Sequence, residues 1–275
     1  MRDEDDCGMD FCGGTLEQKM KETTRRMGRE VRFFEETDST NLQAKMAAQG
    51  AGHGTLFVAE RQTAGRGRLG RNWESASEGN IYFSLLLKPD FAPDVASQVT
   101  LVMGLAVTEV LREYCHADAG LKWPNDVVVK GKKLCGILTE LGLAGKAIDY
   151  LVVGVGINVG QQNFPEEIAA TATSLGLETG VKVNRTELLV RIMNRFENLY
   201  EEFVQEKSLA GMRERYNALL LNNGREVRVL DPKGEYTGMA GGITETGELL
   251  VERECGTVEM VYAGEVSVRG IYGYV

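Results

Sequence analysis

AGLKWPNDVVVKGKKLCGILTELGLAGKAIDYLVVGVGIN, residues 119–158, decides the fold class. Its apolar residues fall in short runs, DVVVK, KLCGILTEL and DYLVVGVGINV, with a tight turn at Gly131. Consecutive strands joined by so short a turn run antiparallel, because a parallel pair needs a long crossover. On the N-terminal side of this block, from Val95 onward, Val99, Val102, Ala106 and Val110 recur at helical spacing, which predicts a helix packed on the sheet. Before it, GNIYFSLLLK (Gly79 to Lys88, ended by Pro89) and GTLFVAE read as strands, and Asp38, Ser39 and Thr40 offer oxygens to cap a helix NLQAKMAAQ that stops at Gly50. On the C-terminal side, Leu189, Ile192, Phe196, Leu199 and Phe203 form one apolar stripe of a helix from about Thr186, and a further helix follows to about Leu221. After Asn222-Asn223-Gly224 the chain breaks into short β runs. The expected architecture is α+β: a catalytic domain over 30–221 with a mixed, largely antiparallel sheet and helices, then a small β-barrel over 222–275. Residues 1–29, charged and with hardly any apolar anchor, are expected to be a flexible segment or a loosely docked helix.

Composition narrows the chemistry. A net charge of −9 argues against bulk attraction to nucleic acid. Neither histidine, His53 or His116, has a partner at metal-ligand or triad spacing, so histidine catalysis is not expected. The cysteines Cys7, Cys12, Cys115, Cys135 and Cys255 are scattered, without CxxC spacing, and are expected to be reduced thiols. No stretch reads as approaching the ~18 apolar residues of a membrane span, and the acidic start MRDEDDCGMD is unlike a secretory signal, so a cytoplasmic location is expected.

Three segments carry candidate chemistry. GRGRLGRNW, Gly65 to Trp73, places Arg66, Arg68 and Arg71 among glycines, a composition suited to close approach to an anion, or equally to a flexible basic loop touching RNA. KWPND, Lys122 to Asp126, leads into KKLCGILTE, where lysines could neutralise phosphates and a carboxylate could hold magnesium, or the whole could be an ordinary hairpin. GVGINV, Gly154 to Val159, ends a buried strand in Asn158, a ligand contact or a turn residue.

Taken together and in this order, DSTN, QTAGRGRLGRNW, KWPND, KLCGILTE and GVGIN resemble the biotin protein ligases over roughly Val31 to Gly270. The resemblance implies a sheet related to class II aminoacyl-tRNA synthetases and lipoate ligases, followed by an SH3-like β-barrel. It implies that Ser39, Thr40 and Asn41 border the biotin ring system, with Gly136 beside biotin, and that Gln62 and Arg66-Gly67-Arg68 lie along biotin and the adenylate. Lys133 matches the family's essential lysine, at the biotin carboxylate and the transferring phosphate, with Arg68 stabilising charge beside it. Trp73 is expected near adenine, Arg71, Lys122 and Asn125 at the phosphates, Asp126 at magnesium, and Asn158 at the nucleotide. Substrates would be biotin and ATP with Mg2+, the partner a biotin carboxyl carrier protein, and the product biotinyl-5′-AMP on the way to a biotinylated lysine. Many bacterial relatives begin with a DNA-binding domain that this N-terminus does not resemble, so no specific DNA partner, no repressor role and no membrane partner are expected. A homodimer is compatible with the family. The alternatives are a lipoate ligase, a Gly/Arg-loop nucleic-acid regulator and a non-catalytic biotin binder.

Overall fold

A computed structural model describes residues 11–73, 75, 79–232, 234–263, 267–270 and 274. The chain runs through α1 (Gly13–Thr23), β1 (Val31–Thr37), α2 (Thr40–Ala47), β2 (Leu56–Gln62), β3 (Ile81–Leu87), α3 (Gln98–Tyr114), β4 (Ala119–Lys122), β5 (Asp126–Val129), β6 (Lys132–Ala144) and β7 (Ala147–Ile157). It continues through α4 (Glu166–Ala169), α5 (Leu175–Thr179), α6 (Arg185–Glu206) and α7 (Arg213–Leu219) to β8 (Glu226–Leu230), β9 (Tyr236–Ile243), β10 (Leu249–Glu252), β11 (Val258–Val261) and β12 (Ser267–Gly270).

Seven strands form one sheet in the order β1-β2-β3-β7-β6-β5-β4. Only β1 and β2 pair in parallel; the other neighbours are antiparallel, as the short turns of 119–158 require. Because side chains alternate along a strand, each strand divides its residues between two faces. Phe83 and Leu85 of β3, Cys135 and Ile137 of β6, and Val153 and Val155 of β7 enter the main core, and α3 lies against this sheet with α6 packed on α3. The alternate positions, Ser84, Gly136, Leu138, Glu140, Val152, Gly154 and Gly156, point to the other face, where α2 packs on Phe57, Leu86 and Val152. The period of two thus places the glycines of GVG on the side where α2 begins.

Helix α3 belongs to a span, Pro93–Tyr114, that is long and apolar enough to cross a membrane by length and composition, which corrects the expectation that no stretch approaches this length. Its apolar window is 72% buried inside the fold, and Leu101, Val102, Leu105 and Ala106 are core residues. Its hydrophobicity is therefore accounted for by packing against the sheet and α6.

The N-terminal segment also departs from expectation. Residues 11–29 are not a flexible segment: Leu16 and Met20 of α1, with Phe11 and Met27, are buried in the main core. The backbone N–H groups of Arg25, Arg26 and Met27 all donate to the Glu197 carboxylate, at 2.7, 2.5 and 3.0 Å. Glu197 is itself buried on α6. A carboxylate fed by three amides is a strong local clamp, and removing it strands three donors away from water. Glu197→Ala is accordingly expected to lower unfolding stability by about 3 kcal/mol, checked by chemical denaturation; a loss below about 1 kcal/mol would show that the clamp contributes little.

The C-terminal strands form a five-stranded antiparallel sheet, β11-β10-β9-β8-β12, burying Val227, Val229, Leu249, Val251 and Val268. This is the separate C-terminal β domain expected from sequence; among the described residues no pairing of β11 with β12 closes it into a barrel. It docks through Trp123: the Trp123 N–H donates to Asn222 Oδ1 at 2.9 Å and the indole N–H to Gly247 O at 3.0 Å. Cys115, Cys135 and Cys255 are free thiols, and Cys7 lies outside the described residues.

Candidate active site

Two adjoining cavities lie where α2, β6, β7 and the 65–73 loop meet. The inner one, about 50 Å³, is lined by Ser39, Thr40, Asn41, Gln62, Arg66, Gly67, Arg68, Trp73, Asn125, Lys133, Gly136 and Gly154 to Gly156 among others. The outer one, about 800 Å³, takes in Arg71, Lys122, Asp126, Lys130, Lys132, Arg269 and Tyr274. Gly67, Arg68, Trp73, Asn125 and Lys133 line both. Every expected site residue except Asn158 therefore borders one cavity or the other.

The inner cavity is built from neutral hydrogen-bonding groups held by one another. Gln62 Oε1 accepts from the Thr40 N–H at 2.8 Å and from its hydroxyl at 3.2 Å, while Gln62 Nε2 donates to Ser75 Oγ at 3.2 Å. Asn41 Nδ2 donates to Glu140 Oε2 at 2.8 Å, and the Ser84 hydroxyl lies 2.6 Å from Asn41 Oδ1 and 2.8 Å from Thr40 Oγ1. Glu140 in turn forms an ion pair with Lys45. Ser84 and Glu140 escaped the sequence reading. Ser84 carried a signal, a lone small polar residue within the run IYFSLLL. Glycine is required beside this network, because a Cβ on Gly154 would come within 1.9 Å of Asn41 Oδ1.

The loop from Gly65 to Trp73 is tied down. Gly67 N–H donates to Arg71 O at 2.7 Å, Trp73 N–H donates to Gly65 O at 2.9 Å, and Leu69 adopts a left-handed backbone at φ 56. Arg68 donates to Asn125 Oδ1 at 3.2 Å and to Ala263 O, in the C-terminal domain, at 2.8 Å. Burial lowers its guanidinium, with the Asp126 charge opposing that shift. The Trp73 indole lies flat on the glycine face: an added Cβ on Gly136 or Gly156 would stand 2.6 Å from it. Lys133 Nζ is 5.1 Å from the Trp73 ring centroid.

Lys133 Nζ sits at the junction of the cavities, 2.6 Å from Asp126 Oδ1. Burial alone would raise the Asp126 carboxyl, but Lys133 and the Tyr274 hydroxyl outweigh it and the group sits below the usual carboxylate range. Asp126, the carboxylate expected at magnesium, faces Lys133 through one oxygen and Tyr274, at 2.5 Å, through the other. Among the described residues no three His, Cys, Asp or Glu side chains converge to hold a metal. Asn158, expected at the nucleotide, lies apart from both cavities. Its side chain donates to Thr173 O at 3.0 Å and its backbone bonds Leu134 and Leu175, so it fastens residues 173–175 to β6. Asn125 lines both cavities, and its side-chain amide oxygen is what receives Arg68.

An inner cavity rich in neutral donors thus adjoins a cation-lined outer cavity, with Arg68 and Lys133 bordering both. Residues 33–158 match the Biotin/lipoate A/B protein ligase family, and residues 224–269 match the Biotin protein ligase C terminal domain. The chain is 36% identical to the biotin–[acetyl-CoA-carboxylase] ligase of Mycobacterium tuberculosis, over 86% of this chain and 88% of that protein. It is 33% identical to the bifunctional ligase/repressor BirA of Bacillus subtilis, over 89% of this chain and 76% of that protein. A solved biotin protein ligase from Aquifex aeolicus in complex with biotin and ATP superposes with a TM-score of 0.78 at 39% identity, covering 88% of this chain and 99% of that one. The chain belongs to the biotin protein ligase family and is a ligase.

Proposed function

We propose that the chain condenses biotin with ATP to biotinyl-5′-AMP and then passes biotin to a lysine of a biotin carboxyl carrier protein. The observation that carries this reading is the position of Lys133, which with Arg68 lines both an inner cavity rich in neutral hydrogen-bonding groups and a cationic outer one. A ring with amide-like polarity suits Ser39, Thr40, Asn41 and Gln62, whereas phosphates suit Arg71, Lys122, Lys132 and Arg269. The acid and the phosphate then meet at Lys133.

In the first step a biotin carboxylate oxygen bonds to the α-phosphorus as the bond to pyrophosphate breaks. Negative charge accumulates on phosphate oxygens, which Lys133 and Arg68 are placed to stabilise from outside water. In the second step the neutral amine of the acceptor lysine attacks the acyl carbon, AMP leaves on its oxygen, and a proton is lost from nitrogen. No protein nucleophile is required. Magnesium is proposed to enter with ATP as part of the substrate, since both oxygens of Asp126 are in use.

Biotin-dependent exchange of pyrophosphate into ATP, run beside lipoate, tests the reading directly. Exchange with lipoate and none with biotin would replace it by lipoate ligation. No exchange, with biotin bound, would replace it by a binding protein. We further propose that the described N-terminal segment carries no repressor role, because α1 is packed on α6 and not displayed as a recognition helix. Specific, salt-resistant binding to an operator duplex would reverse that statement.

The outer cavity also sets a pH dependence. Burial pushes the Lys122 ammonium down to about 8, with Asp126 partly opposing. Phosphate binding favours the charged form, so ATP affinity should be flat below that value and fall above it, by up to about tenfold per pH unit. Lys122→Arg keeps its charge throughout this range and should flatten the profile. KM for ATP between pH 7 and 9 is the measurement, and identical profiles would remove Lys122 from phosphate binding.

A further inference from the structure

We propose that Tyr274 is a positioning residue for the nucleotide, holding Asp126 and Lys122 apart so that Lys122 keeps its charge for phosphate. The proposal rests on the ATP-binding reading of the outer cavity. Lys122 and Asp126 are direct cross-strand partners in the β4–β5 register. Opposite charges so placed lie close enough to pair. Among the ion pairs of the described residues, however, Asp126 pairs with Lys133, and Lys122 pairs with no carboxylate. The Tyr274 side chain accounts for the difference. Its hydroxyl donates to Asp126 Oδ2 at 2.5 Å, and its ring lies beneath Lys122 Nζ, 3.4 Å from centroid to nitrogen.

The Tyr274 hydroxyl fills the carboxylate oxygen that Lys122 would otherwise reach, and the ring gives the buried ammonium a partner that neutralises none of its charge. Loss of the side chain leaves a buried carboxylate oxygen without its donor and a buried ammonium without its platform, and the two satisfy each other by forming the absent ion pair. A Lys122 captured by Asp126 offers no net charge to a phosphate. Tyr274, which follows the C-terminal sheet in sequence, thus completes a site built by the catalytic domain.

Titration calorimetry of ATP with magnesium, and separately of biotin, on the full chain and its variants tests this. Tyr274→Ala should bind ATP about tenfold more weakly, Tyr274→Phe by a smaller factor because the ring remains, and both should bind biotin as the parent does. Adding Asp126→Asn to Tyr274→Ala should recover ATP affinity, since Lys122 then has no carboxylate to join; a general structural defect would not be rescued in this way. Unchanged or tighter ATP binding in Tyr274→Ala, or a double variant no better than the single one, overturns the proposal. If the parent chain itself neither binds ATP nor exchanges pyrophosphate, it is the ATP-binding reading that has failed.

Discussion

Lys133→Ala is expected to lower biotin-dependent ATP–pyrophosphate exchange by about a thousandfold, because it removes one of the two cations, with Arg68, that border both cavities where charge forms in adenylation. The same substitution is not silent for the fold. Sequence alone suggests an exposed lysine that contributes charge and no packing, yet its ammonium is paired with the buried Asp126. Deleting one partner of such a pair leaves the other unpaired. Lys133 remains 26% exposed, so water softens the penalty, and a loss of about 1–3 kcal/mol is expected. The double variant Lys133→Met, Asp126→Asn separates the two effects. It should recover most of that stability in denaturant titrations while exchange stays abolished. Exchange near the parent rate in either variant would sink the assignment of Lys133.

Arg68→Gly is expected to free the adenylate. Arg68 is the strut that ties the 65–73 loop to Asn125 on one side and to Ala263 of the C-terminal domain on the other. Each charged hydrogen bond of this kind contributes about 1.5–3 kcal/mol, so its loss should speed escape of the intermediate by at least about tenfold. A mixed anhydride in solution acylates any accessible amine, and the variant should therefore biotinylate lysines of unrelated proteins that the parent leaves untouched. Streptavidin blotting of a mixture of carrier and bystander protein reads this out. Trypsin cleavage within 65–73 should rise in parallel, and should slow in the parent when biotin and ATP are added. Unchanged carrier selectivity in the variant would leave the strut without a role in retention.

What could be read from sequence was local. The runs between Ala119 and Asn158 fixed β5 to β7 as antiparallel because each turn signal lay between adjacent strands. The stripe of α6 was visible for the same reason. A loosely docked N-terminal helix was one of two readings, but its firm anchoring was not visible, because Leu16, Met20 and Met27 are thinly spaced among charges and the clamp, Glu197, lies 170 residues from Met27. β1 was passed over although it pairs with β2, since VRFFEET has neither clean alternation nor full burial. In the site, the residues on contiguous motifs came together, while those depending on contacts between distant segments did not announce themselves. Tyr274 meets Asp126 across 148 positions, and Asn158 spends its amide on Thr173 instead of a ligand.

The placement of Trp73 on the glycine shelf gives the enzyme a built-in optical gauge. The chain has two tryptophans, and Trp123 is sealed in the joint between the domains. An inner cavity of about 50 Å³ is far smaller than the ~300 Å³ or more that ligand pockets commonly offer, and the Trp73 indole lines it, so entry of a bicyclic acid is expected to shift that ring. Every filling of the site thus changes the surroundings of one chromophore while the other stays constant, and the emission of unlabelled protein becomes a continuous, stoichiometric record of occupancy, with Trp73→Phe as its blank.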